Sequence, residues 1–455
     1  MKCVNCGTDN NLRDRTANSG RCVKCNHPFA FEPQNMPQKL RFTDPFFQGA
    51  IVQLSNDDSL YFTSKQLRYF LDKKIKKKGQ NLISYFYLYL VSGVLTTIFF
   101  GAFLSIVFLR DINAYTIILL AYHLFIITLS YRITQSSEST ILQRRNNSRL
   151  LQIMGIILLV GLSAVFLFIA PSPLFFTISV ILGGFSLITG TRQVRRSRLI
   201  PQDLITTQEQ VQYWIHRWEN ANGKIEKLLR QREQETETSR ELSGEITNYS
   251  FDRAVICDRA EIARFLIANN FHFENNCAVL SVTGYPQNIF STVLEMLKRN
   301  PSLKVYALHS CTPRGVQLAY HLQTSPNWFG NHSVQIYEVG ILPRQAFNQG
   351  DFFILNSPRL GEETKQFPRQ VKEKLLPEEI EWLEKGNYIE LESLSPRRII
   401  QALTQAISQS RTAEMTGDSV SGNGGDLDGG ETYFLFSSFQ GDNSRSSVFA
   451  SDSFG

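Results

Sequence analysis

The sequence predicts a multi-domain fold: an α-helical membrane domain of four spans, preceded by a small cysteine-bearing ribbon and followed by an α/β domain built on a parallel sheet. Three observations carry this. Two CxxC pairs stand within the first 25 residues, long uncharged stretches follow, and from about Phe251 apolar strand-like runs alternate with helical ones. With 455 residues, 43% of them hydrophobic, the chain is long enough for several domains, and its apolar excess is concentrated in the uncharged stretches.

The first element, residues 1–34, is set by Cys3, Cys6, Cys22 and Cys25, which give CxxC, fifteen intervening residues and CxxC again. Two knuckles at this spacing bring four thiolates tetrahedrally around Zn²⁺. So short a segment cannot bury a core of its own, so metal binding is expected to supply most of its folding energy. Four cysteines leave no open coordination position, which makes the expected zinc structural. The segment resembles the zinc ribbons of nucleic-acid and protein adaptors. Cys257, Cys277 and Cys311 fall on or beside apolar strands and read as core residues.

Residues 35–80 form a basic juxtamembrane helical segment: residues 1–80 carry 14 Lys and Arg against 7 Asp and Glu, ending in KKIKKK (Lys73 to Lys78). Such a run is first a topology signal and a contact for membrane lipid. No residue is charged from Asn81 to Leu109, from Ile112 to Tyr131 or from Leu150 to Thr191, and Pro171 and Pro173 divide the last stretch. A span takes roughly 20 apolar residues, so residues 81–191 read as four transmembrane helices at about 82–108, 112–131, 150–170 and 173–190. Lys and Arg cluster before the first span, between the second and third, and after the fourth as RQVRRSR. This makes the protein integral and multi-pass with both termini cytoplasmic. No cleavable signal peptide is expected, because Met1-Lys2-Cys3 opens directly into a polar segment. His123 lies inside the second span, where an ionisable group is costly; with no acidic partner in any span, a hydrogen-bonded packing role is favoured over a proton path.

Residues 192–249 read as a cytoplasmic helix and linker. Thr206 to Glu209 forms a capping box, and Val211, Trp214, Trp218, Ala221, Ile225 and Leu228 recur at the 3.5-residue spacing of a coiled-coil seam. The 206–230 helix therefore offers a surface for homo-oligomerisation or a face packed on its own domain. Residues 250–411 alternate strand and helix: strands at Ala254 to Cys257, Ala278 to Val282 and Lys304 to Leu308, helices at Ala260 to Ala268, Asn288 to Arg299 and Val316 to Leu322. Strands about 24 residues apart with helices between them imply right-handed crossovers and a parallel sheet, with ligands expected at the carboxyl ends of the strands. Residues 412–455, rich in Gly, Ser and Asp with 7 acidic groups and one Arg, read as a disordered acidic tail, within which YFLFSSF offers a short docking motif.

An acidic residue after the first strand, Gly284-Tyr285-Pro286 after the second, and Ser310-Cys311-Thr312 before Pro313-x-Gly315 together resemble the Toprim domain of the topoisomerase VI A subunit and its meiotic double-strand-break relatives. Glu379 to Leu403 is similar to the segment with which that family continues, so the resemblance covers about 251–403. It implies a site in which an acidic residue and an Asp-x-Asp hold Mg²⁺. Asp258 stands at the first position, but Ser310 and Thr312 replace the two aspartates, which removes two negative charges from a site for a hard cation. His272, His309 and His321 are not spaced as a metal set. Residues 251–413 carry 17 basic and 16 acidic groups, without the excess of a duplex-binding surface, so a protein partner is better supported than nucleic acid. The expected function is a non-enzymatic binding, scaffold or regulatory module at the membrane; the alternative is a membrane-tethered metal-dependent nuclease or phosphoryl-transfer enzyme using Asp258. A transporter is disfavoured by the uncharged spans.

Overall fold

The computed structural model describes residues 1–78, 89–95, 112–136, 141–164, 173–230, 251–287, 289–300, 302–330, 334–348, 352–416 and 433–435, with Tyr87, Ile98, Leu167 and His332 besides. Contacts divide the chain into two units, Met1–Ile75 with Asp203–Gly455, and Lys76–Gln202.

The N-terminal elements are α1 (Leu12–Ala17), α2 (Asp44–Leu54), the short strand β1 (Phe62–Thr63) and α3 (Ser64–Lys78). Asn11 and Asp14 form a reciprocal capping box at the start of α1. The buried carboxylate of Asp44, at the first turn of α2, accepts hydrogen bonds from the backbone N–H groups of Ala30 (2.8 Å) and Phe31 (2.9 Å), tying the end of the cysteine segment to the helices.

The second unit contains α4 (Ile112–Gln135), α5 (Ile141–Ile156) and α6 (Pro173–Arg198). Two of the described helices, not four, are long and apolar enough to cross a membrane, over Ile117–Gln135 and Pro173–Arg196. Most of the expected span at 82–108 lies outside the described residues. The one expected at 150–170 begins inside α5, whose first half is polar, and continues as a π-helical stretch over Ile157–Leu162. The Leu158 carbonyl there accepts the hydroxyls of Ser163 (3.0 Å) and Ser179 (2.9 Å), which offers the wound backbone extra partners. α5 and α6 lie against each other through small residues: a Cβ on Gly155 would stand 2.7 Å from the Leu187 nitrogen, and one on Gly190 would stand 2.8 Å from the Gln152 nitrogen. The Ser186 hydroxyl bonds across to the Leu151 carbonyl at 2.7 Å. Close approach over glycine and serine is how helices associate when no hydrophobic force separates them from lipid. His123 is buried, donating from Nδ1 to the Leu119 carbonyl (2.7 Å) and standing edge-on to Tyr89 and Tyr122.

After this unit come α7 (Gln208–Asn222) and β2 (Leu228–Leu229). The cap of α7 falls one residue later than the sequence reading placed it, with Thr207 and Gln210 exchanging side-chain and backbone hydrogen bonds. Gly223, at φ +86°, ends the helix, so the region does not run on as one helix to residue 230. Its apolar face is covered by the chain itself: Val211, Trp214, Trp218, Ile225 and Leu228 are buried with Phe31, Phe42, Phe47, Leu67 and Leu71. Trp214 meets Phe42 edge-on at 4.8 Å, and Trp218 lies 5.2 Å from Phe47. The seam spacing therefore records a helix packed on its own unit, and β2 pairs in parallel with β1.

The α/β part follows: β3 (Arg253–Cys257), α8 (Ala260–Ala268), β4 (Ala278–Ser281), α9 (Phe290–Lys298), β5 (Lys304–His309), α10 (Pro313–Val316), β6 (Gln335–Gly340), α11 (Pro377–Glu384), α12 (Pro396–Thr416) and β7 (Tyr433–Leu435). Five parallel strands stand in the order β4-β3-β5-β6-β7. The middle strands are buried along nearly their whole length, as expected where helices cover both faces. Two features depart from the sequence reading: α12 runs past residue 412 to Thr416, and residues 433–435 of the expected disordered tail form the outermost strand. The rest of the tail, and the linker after Arg230, lie outside the described residues.

Candidate functional site

Asp258 follows β3 directly, and its backbone N–H continues the ladder to the Leu308 carbonyl (3.0 Å). Its Oδ2 accepts the backbone N–H of Ser310 at 2.9 Å, so the sequence-predicted positions Asp258 and Ser310 do meet at the carboxyl edge of the sheet. Thr312 does not join them; its hydroxyl accepts the Gly315 N–H at 3.1 Å and caps α10. Cys311 exchanges two backbone hydrogen bonds with Ile389, at 2.9 and 3.0 Å. Gly315 is dictated by space, since a Cβ there would stand 2.2 Å from the Ser310 carbonyl oxygen.

At the centre of this edge is Arg259, which directly follows Asp258 in the chain. Its Nη2 donates to the Ser310 hydroxyl (2.6 Å) and to Glu392 Oε2 (2.7 Å), Nη1 donates to Glu390 Oε1 (3.3 Å), and Nε lies 3.9 Å from Asp258 Oδ1. Glu390 is held again by the Lys65 ammonium (2.7 Å) and the Tyr69 hydroxyl (2.6 Å), both from α3. The edge thus gathers three carboxylates, and two cations are already seated among them. Glu392 is fully buried, and burial pushes its carboxyl above the ordinary value, only partly opposed by Arg259 and Lys65. At Glu390 burial acts the same way, but the charges of Lys65 and Arg259 outweigh it and hold the carboxyl below its ordinary value. For Arg259 itself the three acids overcome desolvation and keep the guanidinium charged. Glu390, Glu392, Lys65 and Tyr69 were not singled out from sequence; the one local signal was two glutamates alternating with apolar residues in Ile389 to Glu392.

One strand further out, His309 is wholly buried. Its Nε2 lies 3.0 Å from Glu338 Oε1, and Nδ1 donates to the Ser310 carbonyl at 3.0 Å. Burial works against the imidazolium, but the Glu338 carboxylate, with help from the Ser310 carbonyl and Asp258, raises His309 above its ordinary value. The ring fits because position 340 is glycine: a Cβ there would meet it at 2.2 Å. His272 and His321 take no part in this pair.

At the N-terminus, Cys3, Cys6, Cys22 and Cys25 bring their Sγ atoms within 4.8 Å of one another, with Cys3 to Cys25 at 3.7 Å and Cys6 to Cys22 at 3.6 Å. Among the described residues this is the one group of cysteine, histidine or acidic side chains placed to hold a metal ion. Burial pushes the Cys3 thiol up to about 12. At Cys22 burial is overcome by the backbone of Cys25 and Lys24 and the Asn10 side chain, bringing the thiol down to about 6. Four thiolates at this separation repel one another, and a cation among them is what lets all ionise together. Arg15 braces the ribbon through a two-pronged pair with Glu32, both contacts at 3.1 Å, and a hydrogen bond to the Asn10 carbonyl.

Two outcomes follow. Replacing Arg259 by alanine leaves the buried Glu392 with only the Lys65 ammonium, 3.7 Å away, as a charged partner, so Arg259→Ala is expected to cost about 3–5 kcal/mol in a urea titration followed by tryptophan fluorescence, well above the effect of Lys65→Ala; equal midpoints for the two variants would refute the central place of Arg259. Because the folded His309 value is raised, its contribution is fully present below the ordinary histidine value of about 6.5 and is lost as pH rises through the raised one. The denaturant midpoint should therefore decline from mildly acidic to alkaline pH, and Glu338→Gln should flatten that decline; superimposable profiles would show that the pair does not titrate. No family model, curated protein or solved structure matches the chain, so these sites rest on their own geometry.

Proposed function

We propose that the chain is a four-span integral membrane protein with both termini cytoplasmic, acting as a non-enzymatic binding, scaffold or regulatory module at the membrane. The observation that carries the non-enzymatic reading is Arg259, whose guanidinium lies among Asp258, Glu390 and Glu392. A Mg²⁺ ion needs oxygen ligands with free lone pairs and uncompensated negative charge. Here an arginine and a lysine take both, and the hydroxyls that replace the Asp-x-Asp of the Toprim pattern are engaged by Arg259 and by the Gly315 N–H. What the edge offers instead is attachment: α3, which carries the basic run ahead of the expected first span, is held to the α/β part by Lys65 and Tyr69.

For the ribbon we propose structural zinc. A Zn–S bond of 2.3 Å in a tetrahedron places sulfurs about 3.8 Å apart, close to the separations of 3.6 and 3.7 Å. Zinc would supply a fixed crosslink between the two knuckles and no open position for catalysis. The basic segment is assigned to membrane lipid, and the partner on the cytoplasmic side is taken to be a protein. A second reading, a metal-dependent nuclease or phosphoryl-transfer enzyme using Asp258, draws on the same convergence of three carboxylates and would require Arg259 to swing away.

Purified protein is expected to carry about one zinc per chain, and Cys3→Ser with Cys22→Ser to lose it; metal content unchanged by that pair of substitutions would remove the ribbon from the argument. Full-length protein in detergent, incubated with duplex DNA and Mg²⁺, is expected to cleave nothing. Cleavage that disappears with Asp258→Ala would establish the second reading in place of the first.

A further inference from the structure

We propose that Asn10 and Thr8 position the metal-binding sulfurs of the ribbon, with Asn10 setting the spacing of the two knuckles and donating to one of the four ligands. The inference rests on the reading of the ribbon as a zinc site and adds the residues, neither of them a ligand, that decide how firmly the ion is held. Asn10 is wholly buried, in a segment too short to have a core, and a carboxamide is costly to bury unless its donors and acceptors are engaged. Both polar atoms of this one are. Nδ2 donates to the Thr8 carbonyl at 2.8 Å and to Cys22 Sγ at 3.5 Å, one N–H to each. Oδ1 accepts the Val23 N–H at 2.9 Å. The Thr8 carbonyl also accepts the Cys3 N–H, at 2.9 Å. A single side chain therefore ties the turn that closes the first knuckle to the backbone and the sulfur of the second.

Thr8 serves the facing sulfur. Its hydroxyl stands 3.3 Å from Cys6 Sγ and donates to that sulfur once it is a thiolate. Cys6 and Cys22 come one from each knuckle and lie 3.6 Å apart, so Thr8 and Asn10 together put a neutral donor on each member of one cross-knuckle pair. Hydrogen bonds to an ionised acceptor are strong, and here they relieve the crowding of two thiolates without adding a charge. An aspartate at position 10 would keep the acceptor for Val23 but set a further negative charge beside four thiolates. Alanine would remove the link between the knuckles. Asn18 supplies the contrast: its Nδ2 donates to the carbonyls of Cys22 (3.0 Å) and Arg21 (3.3 Å), bracing the second knuckle through backbone alone. Residues that hold the ligands from behind in this way carry a large share of metal affinity, and by that rule Asn10 matters to the ion where Asn18 does not.

The test uses the full-length protein in detergent, with tryptophan emission showing that each variant is folded. Zinc affinity is read by competition with a chromophoric chelator, and Co²⁺ loaded in place of zinc reports on the sulfurs through its sulfur-to-metal charge-transfer band. We expect Asn10→Ala to hold zinc about 10–100-fold more weakly than the parent, Asn10→Asp to hold it at least as weakly, and Asn18→Ala to stay close to the parent. The charge-transfer band should move to lower energy in Asn10→Ala and in Thr8→Val, because a sulfur relieved of a hydrogen bond releases its electron more readily. It should not move in Asn18→Ala. Thr8→Val keeps the shape of the side chain and the carbonyl that Asn10 uses, so its band decides the matter if Asn10→Ala does not fold. Parental affinity in Asn10→Ala, its recovery in Asn10→Asp, an equal loss in Asn18→Ala, or a band unmoved in Thr8→Val would overturn the proposal while leaving the zinc reading in place. A parent that takes up neither metal would overturn the zinc reading itself, and the proposal with it.

Discussion

A guanidinium shared by three acids holds the carboxyl edge of this sheet together. Arg259 begins the first helix of the α/β part, yet its contacts reach Ser310 after the third strand and Glu390 and Glu392 some 130 residues further along. Planar, always charged and able to donate in several directions at once, arginine can satisfy acids that converge from different elements, where a lysine would reach fewer. Glu392 is fully buried, and Arg259 first, then Lys65 at 3.7 Å, are the cations that favour its charged form. The turn after β5, the segment around Ile389 and the start of α8 are thus fixed by one residue, and α3 joins through Glu390.

A comparable economy governs the other half of the same unit. The cysteine segment has no core of its own, but Ala30 and Phe31 at its end are buried with the aromatic rings of α2 and α7, and Asp44 fixes their backbone. A metal held by the four cysteines would therefore act on the same few residues as the aromatic cluster, from the opposite end. This explains why α7, separated from the ribbon in sequence by all the uncharged stretches, shows the spacing of a seam: its partner is the start of the chain.

That contrast marks what could be read in the sequence. Buried parallel strands are continuous apolar runs and their crossovers are helices, so the strands expected at Ala254 to Cys257, Ala278 to Val282 and Lys304 to Leu308 fall within one residue of β3, β4 and β5. The four cysteines announced themselves because the ligand set is local. The Arg259 network was not legible because Lys65 and Glu390 are 325 positions apart, and no pattern of spacing records a contact made only by folding. The 3.5-residue recurrence in α7 was legible but ambiguous, since one covered face gives the same pattern whichever surface covers it. The uncharged stretches located the starts of α4 at Ile112 and α6 at Pro173 but not that of α5, which begins at Ile141, because hydropathy does not register a helix that is polar in its first half and carried on by a π turn.

Three acids gather at the carboxyl edge of the sheet, and without compensation they would repel. Seating Arg259 and Lys65 among them turns the repulsion into crosslinks, one to the strand ends and one to α3. An ion bound at Asp258 would have to compete with the guanidinium of the next residue, Arg259, whose Nε lies 3.9 Å from Asp258 Oδ1. A fixed cation that never dissociates holds the strand ends, the segment around Ile389 and α3 to one another, all at the carboxyl edge of the sheet.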